Sequence, residues 1–432
     1  MKYRILLLVI LFLVPALRAQ RGVQFQKEGT RKCEIPFRLI HNLMFIQCEI
    51  NGVPLTMLVD TGVDDTILFS LQHQQEIDLE TVRKVKVVGL GGGEPVEGLV
   101  ASGNRLKTGT LEDKNHTLFI VLDQEFNFSA TVGIPVNGIL GARFFENFPV
   151  EIDYVKRRLI VYRKLPDTRK FERFRIQVEE NKPYLHAQVV VDTLREDVRL
   201  LIDTGNSDAV WLFPERIQAR PPADGIQDFL GRGLGGDIRG IRGRISGFSL
   251  GTFSFARPLA AFPSGIESDS LVLLSDRQGS LGSEVLRRFR VIFDYPSQTL
   301  YLKRNRAFMD PFRYNMSGLE IHHEGTTWER DPEAVLTVSH VGNTAASAAQ
   351  YQYQFRLKPV YMIASVREKS PAALAGLQSG DFLEKINGRY ASDLELQEIT
   401  NLLQQREGRT VRISVLRRGR PLKFTFALRD EL

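Results

Sequence analysis

Cysteine is nearly absent: Cys33 and Cys48 are the only two in 432 residues. That excludes a disulfide scaffold and a cysteine-rich zinc module. Seven histidines occur, His322-His323 among them, but none stands in a His-Glu-x-x-His pattern, so a zinc protease has no ligand set. Long apolar runs are also missing. The N-terminal one holds the nine residues Ile5–Leu13 followed by Val14, too short for a spanning helix, and nothing later approaches about 18. Nor is there a concentrated basic surface behind the formal charge of +6. Residues 1–19 carry Lys2, Arg4 and Arg18 with no acid, residues 20–304 carry 37 Lys/Arg against 36 Asp/Glu, and residues 305–432 carry 17 against 15. No basic stripe remains as a nucleic-acid footprint, so no nucleic-acid partner is expected. What is present, 43% hydrophobic and 25% charged residues, is ordinary globular composition and excludes wholesale disorder.

The N-terminus has the order of a secretory signal. Lys2 and Arg4 precede the apolar run, and Val14–Ala19 ends on a small residue suited to cleavage. The reading is a signal peptide over 1–19 and an exported mature chain, periplasmic or extracellular, with a bacterial host preferred and no stable membrane span. Cys33 and Cys48 flank Ile35–Ile40 and Met44–Gln47, which look like hairpin strands around His41-Asn42. Export permits a disulfide between them, and two small buried thiols are the alternative. The terminal Arg429-Asp430-Glu431-Leu432 reads as the polar end of a final strand rather than a retention signal.

An internal repeat organises the middle of the chain. Asp60-Thr61-Gly62 returns as Asp203-Thr204-Gly205. Gly89-Leu90-Gly91-Gly92 returns as Gly233-Leu234-Gly235-Gly236. Leu140-Gly141 returns as Leu281-Gly282, and Ile152-Asp153-Tyr154 as Phe293-Asp294-Tyr295. Four landmarks in one order at nearly one spacing mark two copies of one unit, over 33–165 and 171–304. Each copy reads as short strands between Gly, Pro and Asp turns, with a short helix over Ala142–Glu146 or Ser283–Arg287 and a closing hairpin. Lys164–Arg169 and 305–311 read as linkers. Gly231-x-Gly233-x-x-Gly236 formally fits a dinucleotide fingerprint, but no βαβ unit follows, so a loop is the better reading.

One Asp-Thr-Gly reads as a turn, in which Asp bonds the backbone and Gly supplies the unusual dihedral. Two copies in equivalent lobes point to chemistry. A pseudo-twofold would bring Asp60 and Asp203 together, and two carboxyls about 3 Å apart share one proton. The ionised member can then activate water while the protonated one donates to a carbonyl oxygen. Neither metal nor cofactor is needed.

Over residues 33–304 this pattern resembles the aspartic proteases. Asp60-Thr61-Gly62-Val63-Asp64-Asp65-Thr66 and Asp203-Thr204-Gly205-Asn206-Ser207-Asp208 match the family's motif. Ile139-Leu140-Gly141 matches its later glycine element, and Ser280-Leu281-Gly282 matches in weaker form. The resemblance implies a mainly β, bilobal body of barrel-like lobes with pseudo-twofold symmetry. It implies that Asp60 and Asp203 are catalytic. Thr61 and Thr204 would lock the two loops, and Gly62 and Gly205 would let the backbone approach. The glycine clusters would be flap tips over a peptide or protein substrate. No Tyr or Trp lies between Thr66 and Gly141, so the flap departs from pepsin and is closer to the retroviral type, here with two copies fused.

The tail has another grammar. Ser370-Pro371-Ala372-Ala373, Ala375-Gly376-Leu377, Gly380-Asp381 and Ile386-Asn387-Gly388 precede an apolar helical stripe from Leu394 to Leu403. A closing hairpin follows around Arg417–Arg420. This resembles a PDZ domain, an α+β unit over 312–430. Ser317-Gly318-Leu319-Glu320-Ile321 looks like its carboxylate-binding loop, with an insertion at about 323–357. Such grooves take extended peptides and C-termini. The whole reads as an exported aspartic endopeptidase with a peptide-binding PDZ unit. The alternative is a catalytically inactive, exported peptide-binding or scaffold protein.

Overall fold

The computed structural model describes residues 22–71, 76–87, 96–121, 128–233, 236–264, 276–341 and 344–432. The expected signal peptide, Gly89, Leu90, Gly91 and Gly92 of the first glycine cluster, and Leu234 and Gly235 of the second lie outside the described residues.

The described residues are mainly β, in three sheets. The two repeat units share one wiring. In the first, Val53–Val59 runs parallel to Gly138–Leu140, which pairs antiparallel with Thr66–Leu68. In the second, Leu194–Ile202 runs parallel to Gly279–Leu281, which pairs antiparallel with Val210–Leu212. The four short strands are buried along their length, as strands covered on both faces must be, and the two longer ones are buried toward their C-terminal ends. The short helical turns come where expected, although the first, Ala142–Phe145, is a 3-10 turn and only Ser283–Leu286 is α-helical.

Six strands form a common floor beneath the two units: Glu172–Arg175, Thr299–Arg304, Phe289–Asp294, Val150–Asp153, Arg158–Tyr162 and Lys32–Ile40. At its centre Val150 faces Phe293 and Ile152 faces Val291. Val150 and Val291 are repeat equivalents, as are Ile152 and Phe293. Equivalent strands therefore pair crosswise, which is what a twofold axis through the sheet demands. Phe145 packs against Phe293 and Tyr295 across this junction, with centroids 5.3 and 5.7 Å apart.

Cys33 and Cys48 are buried and free, which corrects the candidate disulfide. The hairpin register sets Phe37 opposite Ile46. Cys33 instead faces Val161 on another strand, and Cys48 faces Leu55. The expected linker at 305–311 is also fixed in place. The fully buried Arg288 guanidinium donates to the carbonyls of Glu284, Phe308 and Asp310. Phe308 packs against Phe253, Phe255 and Phe289.

In the tail unit the expected insertion is one continuous hairpin. Leu319–Val341 pairs with Thr344–Val366 from Leu319 opposite Val366 out to Val341 opposite Thr344. The rest is compact, with a short helix Pro371–Ala375, the helix Leu396–Leu403, and the strands Phe382–Ile386, Thr410–Arg417 and Arg420–Ala427. Ser370 caps the first helix through Ala373 N–H, and Gly376 ends it at φ +95°.

This unit is docked on both lobes. The helix Leu396–Leu403 meets the first-lobe hairpin tip, where Gln397 Oε1 accepts from His41 N–H and Thr400 Oγ1 lies 3.2 Å from His41 Nε2. On the second lobe, Arg367 bridges Asp228 at 3.5 Å and Glu431 at 2.5 Å, and Arg244 reaches Asp430 at 3.5 Å. The terminal acidic residues, expected to be a solvated strand end, are thus part of the docking contact.

Candidate active site

Each Asp-Thr-Gly follows a strand that ends beside the glycine element of its own lobe. Asp60 N–H donates to Leu140 O at 3.0 Å, and Asp203 N–H to Leu281 O at 2.9 Å. Loop and short helical turn are then stitched together: Ala142 N–H to Val63 O, and Ser283 N–H to Asn206 O, both 2.7 Å. The backbone of Gly141 lies so close to that of Asp65 that an added Cβ would sit 2.4 Å from Asp65 O. At Gly282 the same atom would meet Asp208 O at 2.2 Å. Leu140 and Leu281 are buried.

The two loops meet at the lobe junction. Thr61 Oγ1 donates to Ile202 O at 2.6 Å, and Thr204 Oγ1 donates to Val59 O at 2.9 Å. Thr61 N–H donates to Thr204 Oγ1, and Thr204 N–H to Thr61 Oγ1, both at 3.0 Å. Both threonines are fully buried. Four reciprocal bonds, each worth about 1 kcal/mol net and more if one partner is orphaned, hold the loops in register.

That register packs the carboxyls together. Gly62 N–H donates to Asp60 Oδ1 at 2.6 Å and Gly205 N–H to Asp203 Oδ1 at 3.1 Å. A Cβ on Gly62 would stand 2.9 Å from Asp203 Oδ1, and one on Gly205 would stand 2.1 Å from Asp60 Oδ2. Only glycine leaves room for the opposite carboxyl. The carboxyls of Asp60 and Asp203 lie within hydrogen-bonding reach of each other. Burial and the neighbouring Asp203 charge raise Asp60 well above the usual carboxylate range. Burial raises Asp203 too, opposed by the nearby cation of Arg277 and by donation from Gly205 and Asp60. Two buried carboxyls in contact resist ionising together, which favours one shared proton.

Arg277 is the residue that sequence reasoning missed. It is buried, its Nη2 lies 3.7 Å from Asp203 Oδ2, its Nε donates to Gly279 O at 3.0 Å, and its fork donates to Ser280 Oγ. Ser280 is the residue that made the second glycine element look weak. Its departure from Ile139 supplies the hydroxyl that holds the arginine. Other carboxylates are anchored by ion pairs: Asp64 to Lys182 across the lobes at 3.2 Å, Asp65 to Arg143 at 2.7 Å, and Asp208 to Arg242 at 2.6 Å. Behind Thr66, the imidazole of His116 spans Thr66 Oγ1 and Asp113 Oδ2 at 2.8 and 2.9 Å. All three are buried, so this network positions the strand and offers no nucleophile to solvent.

Gly233 and Gly236 face each other at the end of the hairpin Ile226–Gly233 with Gly236–Arg244. The equivalent first-lobe hairpin, Thr81–Val87 with Val96–Thr108, is described up to the Val87–Val96 pair. In the tail unit, Gly318 has φ +78° and an added Cβ would overlap Ser370, which fixes glycine at that loop. Leu319 and Ile321 are buried, Leu319 N–H donates to Ser317 Oγ, and Glu320 is held by His322 and Ser365. The loop borders a cavity of about 1750 Å³ that also reaches the helix residues Gln397 and Thr400 and the lobe residues Asn42, Ser207 and Arg242. Neither Asp60 nor Asp203 lines it. That cavity thus lies at the domain junction, not at the dyad. Among the described residues, no cluster of three or more His, Cys, Asp or Glu could hold a metal ion. No helix there is long and apolar enough to cross a membrane.

Two stretches match family models: residues 46–144 that of the aspartyl proteases, and residues 362–417 that of the PDZ domain. A probable 26S proteasome non-ATPase regulatory subunit 9 of Caenorhabditis elegans is 28% identical over 84 residues, 19% of this chain and 43% of that protein. The chain therefore spans less than half the length of that relative. Among solved structures, the aspartic proteinase of Irpex lacteus covers 65% of this chain and 99% of its own, at 11% identity and a TM-score of 0.42.

Proposed function

We propose that this chain, which joins an aspartyl-protease-like body to a PDZ domain, is an aspartic-type endopeptidase. The observation that carries the reading is the buried pair of Asp-Thr-Gly loops, clasped by reciprocal Thr61–Thr204 bonds with both carboxyls in contact. In this mechanism Asp203 is the ionised base and Asp60 the protonated acid. A water between them loses a proton to Asp203 as it attacks the scissile carbonyl, and Asp60 protonates the carbonyl oxygen. Collapse of the tetrahedral diol returns a proton to Asp60 and passes one to the leaving amine. The PDZ groove, bounded by the Gly318–Ile321 segment and the helix Leu396–Leu403, would bind peptide segments or C-termini.

The test is cleavage of a broad peptide library at acid and neutral pH, read by mass spectrometry. The expected result is endoproteolysis that falls about 10²–10⁴-fold in both Asp60→Asn and Asp203→Asn. Cleavage unchanged in either variant removes the dyad mechanism. No cleavage at any pH, with peptides still captured, favours the inactive peptide-binding scaffold. We further propose export, supported by the Lys2–Ala19 pattern; a mature N-terminus at Gln20 is the expected product.

A further inference from the structure

The two lobes use one hydrogen-bond plan around the dyad, with one break. Asn137 and Gln278 are repeat equivalents. Thr56 N–H donates to Asn137 Oδ1 at 2.8 Å, and Arg199 N–H to Gln278 Oε1 at 2.9 Å. Asn137 N–H returns to Thr56 O, and Gln278 N–H to Arg199 O, at 2.8 and 2.9 Å. The break lies on either side of these residues. Val136 and Ile139 sit in an apolar cluster with Leu58 and Ile67. Their counterparts are Arg277 and Ser280.

A buried guanidinium needs an anion, because desolvation penalises an isolated charge severely. Among the described residues, the carboxyl acting most strongly on Arg277 is that of Asp203, and that of Asp60 acts more weakly. Its remaining contacts are neutral: Gly279 O, Ser280 Oγ and the face of Phe213 at 5.3 Å. Asp60 faces Asp203, Arg277 and Tyr295, and receives donation from the Gly62 and Gly205 amides. Asp203 faces Asp60 and Arg277 and the amides of Gly205 and Asn206. Lys182 of the second lobe is held by Asp64 of the first. Among the described residues, the only cation in contact with the dyad thus stands on the Asp203 side.

Resting on the endopeptidase reading, we propose that Arg277 is a positioning residue that decides which aspartate is the base. Its guanidinium, braced by Ser280 and Gly279, keeps Asp203 ionised and leaves the shared proton on Asp60. The symmetric Asp-Thr-Gly pair thereby becomes a directional one, and the active window extends to lower pH.

The experiment compares the full chain with Arg277→Met, Arg277→Lys and Ser280→Ala. Two readouts are taken: kcat/KM against pH, and the carboxyl titrations of ¹³C-labelled aspartate by NMR. An opposite charge in contact lowers a carboxyl by about 1–3 pH units. In Arg277→Met the acid limb and the Asp203 titration should therefore rise by about that much. Arg277→Lys, which keeps the charge, should restore most of the shift, and Ser280→Ala should move both readouts the same way by less. A uniform loss of activity with unmoved limbs and titrations overturns the proposal and leaves a bracing role. If Arg277→Met does not fold, unmoved titrations in Ser280→Ala overturn it. The two readings fail separately. Shifted titrations in a chain that cleaves nothing sink the endopeptidase and keep Arg277's role. Cleavage that needs both aspartates but ignores Arg277 does the reverse.

Discussion

The two halves of the dyad are built from the same parts and differ in their surroundings. On the first side, Val136 and Ile139 give the glycine element an apolar backing. On the second, Arg277 and Ser280 place a buried cation 3.7 Å from Asp203. Geometry is shared because the backbone bonds are shared, from the strand-end amides to the threonine clasp. Electrostatics is not shared, because two side chains changed. A twofold frame can hold two carboxyls in contact, but it takes a broken symmetry to distinguish acid from base.

The sharpest way to probe the shared geometry is through its glycines. Gly205→Ala puts a Cβ 2.1 Å from Asp60 Oδ2, whereas Gly62→Ala puts one 2.9 Å from Asp203 Oδ1. Displacement of a reacting carboxyl by about 1 Å costs on the order of 10²-fold, so Gly205→Ala should lose about that much kcat/KM and Gly62→Ala less. Equal effects would say that the loops relax freely. Next comes the clasp. Thr61→Val and Thr204→Val each orphan buried partners and should each destabilise by about 1–3 kcal/mol, seen as a drop in Tm. Here near-equality is expected, and a large difference would break the symmetry argument.

Charge gives a smaller effect with a definite sign. Asp60 is raised in the folded state, chiefly by burial and then by the Asp203 charge. A raised carboxyl contributes fully below its unfolded value, and that contribution is lost as pH rises through the folded one. The wild-type chain should therefore lose stability as pH climbs above the ordinary carboxylate range. Asp60→Asn should gain Tm relative to wild type, increasingly so toward alkaline pH. Parallel Tm curves would deny that the pair is strained by ionisation. The smallest effect is expected at the PDZ contact. Arg38 and Glu395 pair at 3.3 Å with both side chains more than half exposed, so Arg38→Ala should change stability by less than about 1 kcal/mol.

Much of this was legible in the chain because repeats are legible. The Asp60 and Asp203 motifs, Thr61, Thr204 and the glycines recur at matched spacing, and each is demanded by a local backbone arrangement. Strand positions near those landmarks were legible for the same reason, and so was the tail unit, whose turns and caps are short-range. The long hairpin from Leu319 to Val366 was not, since its arms looked like an insertion when read singly. That the 305–311 connection is fixed in place was not legible, because its anchor is Arg288, whose three carbonyl partners converge only after folding. The Cys33–Cys48 disulfide failed on register, a property of strand pairing rather than of sequence distance.

By itself, then, the sequence determined two equivalent lobes, a paired Asp-Thr-Gly site and a PDZ-like tail. Each is encoded in contiguous residues whose dihedral and hydrogen-bonding needs are local. The tertiary structure decided that Arg277 stands against Asp203, that the tail grips both lobes through His41, Arg367 and Arg244, and that the thiols stay apart. Those outcomes depend on side chains brought together from distant positions, where burial makes a single charge or register step count. An arginine near a Ser-Leu-Gly reads as a surface residue until folding removes the water around it.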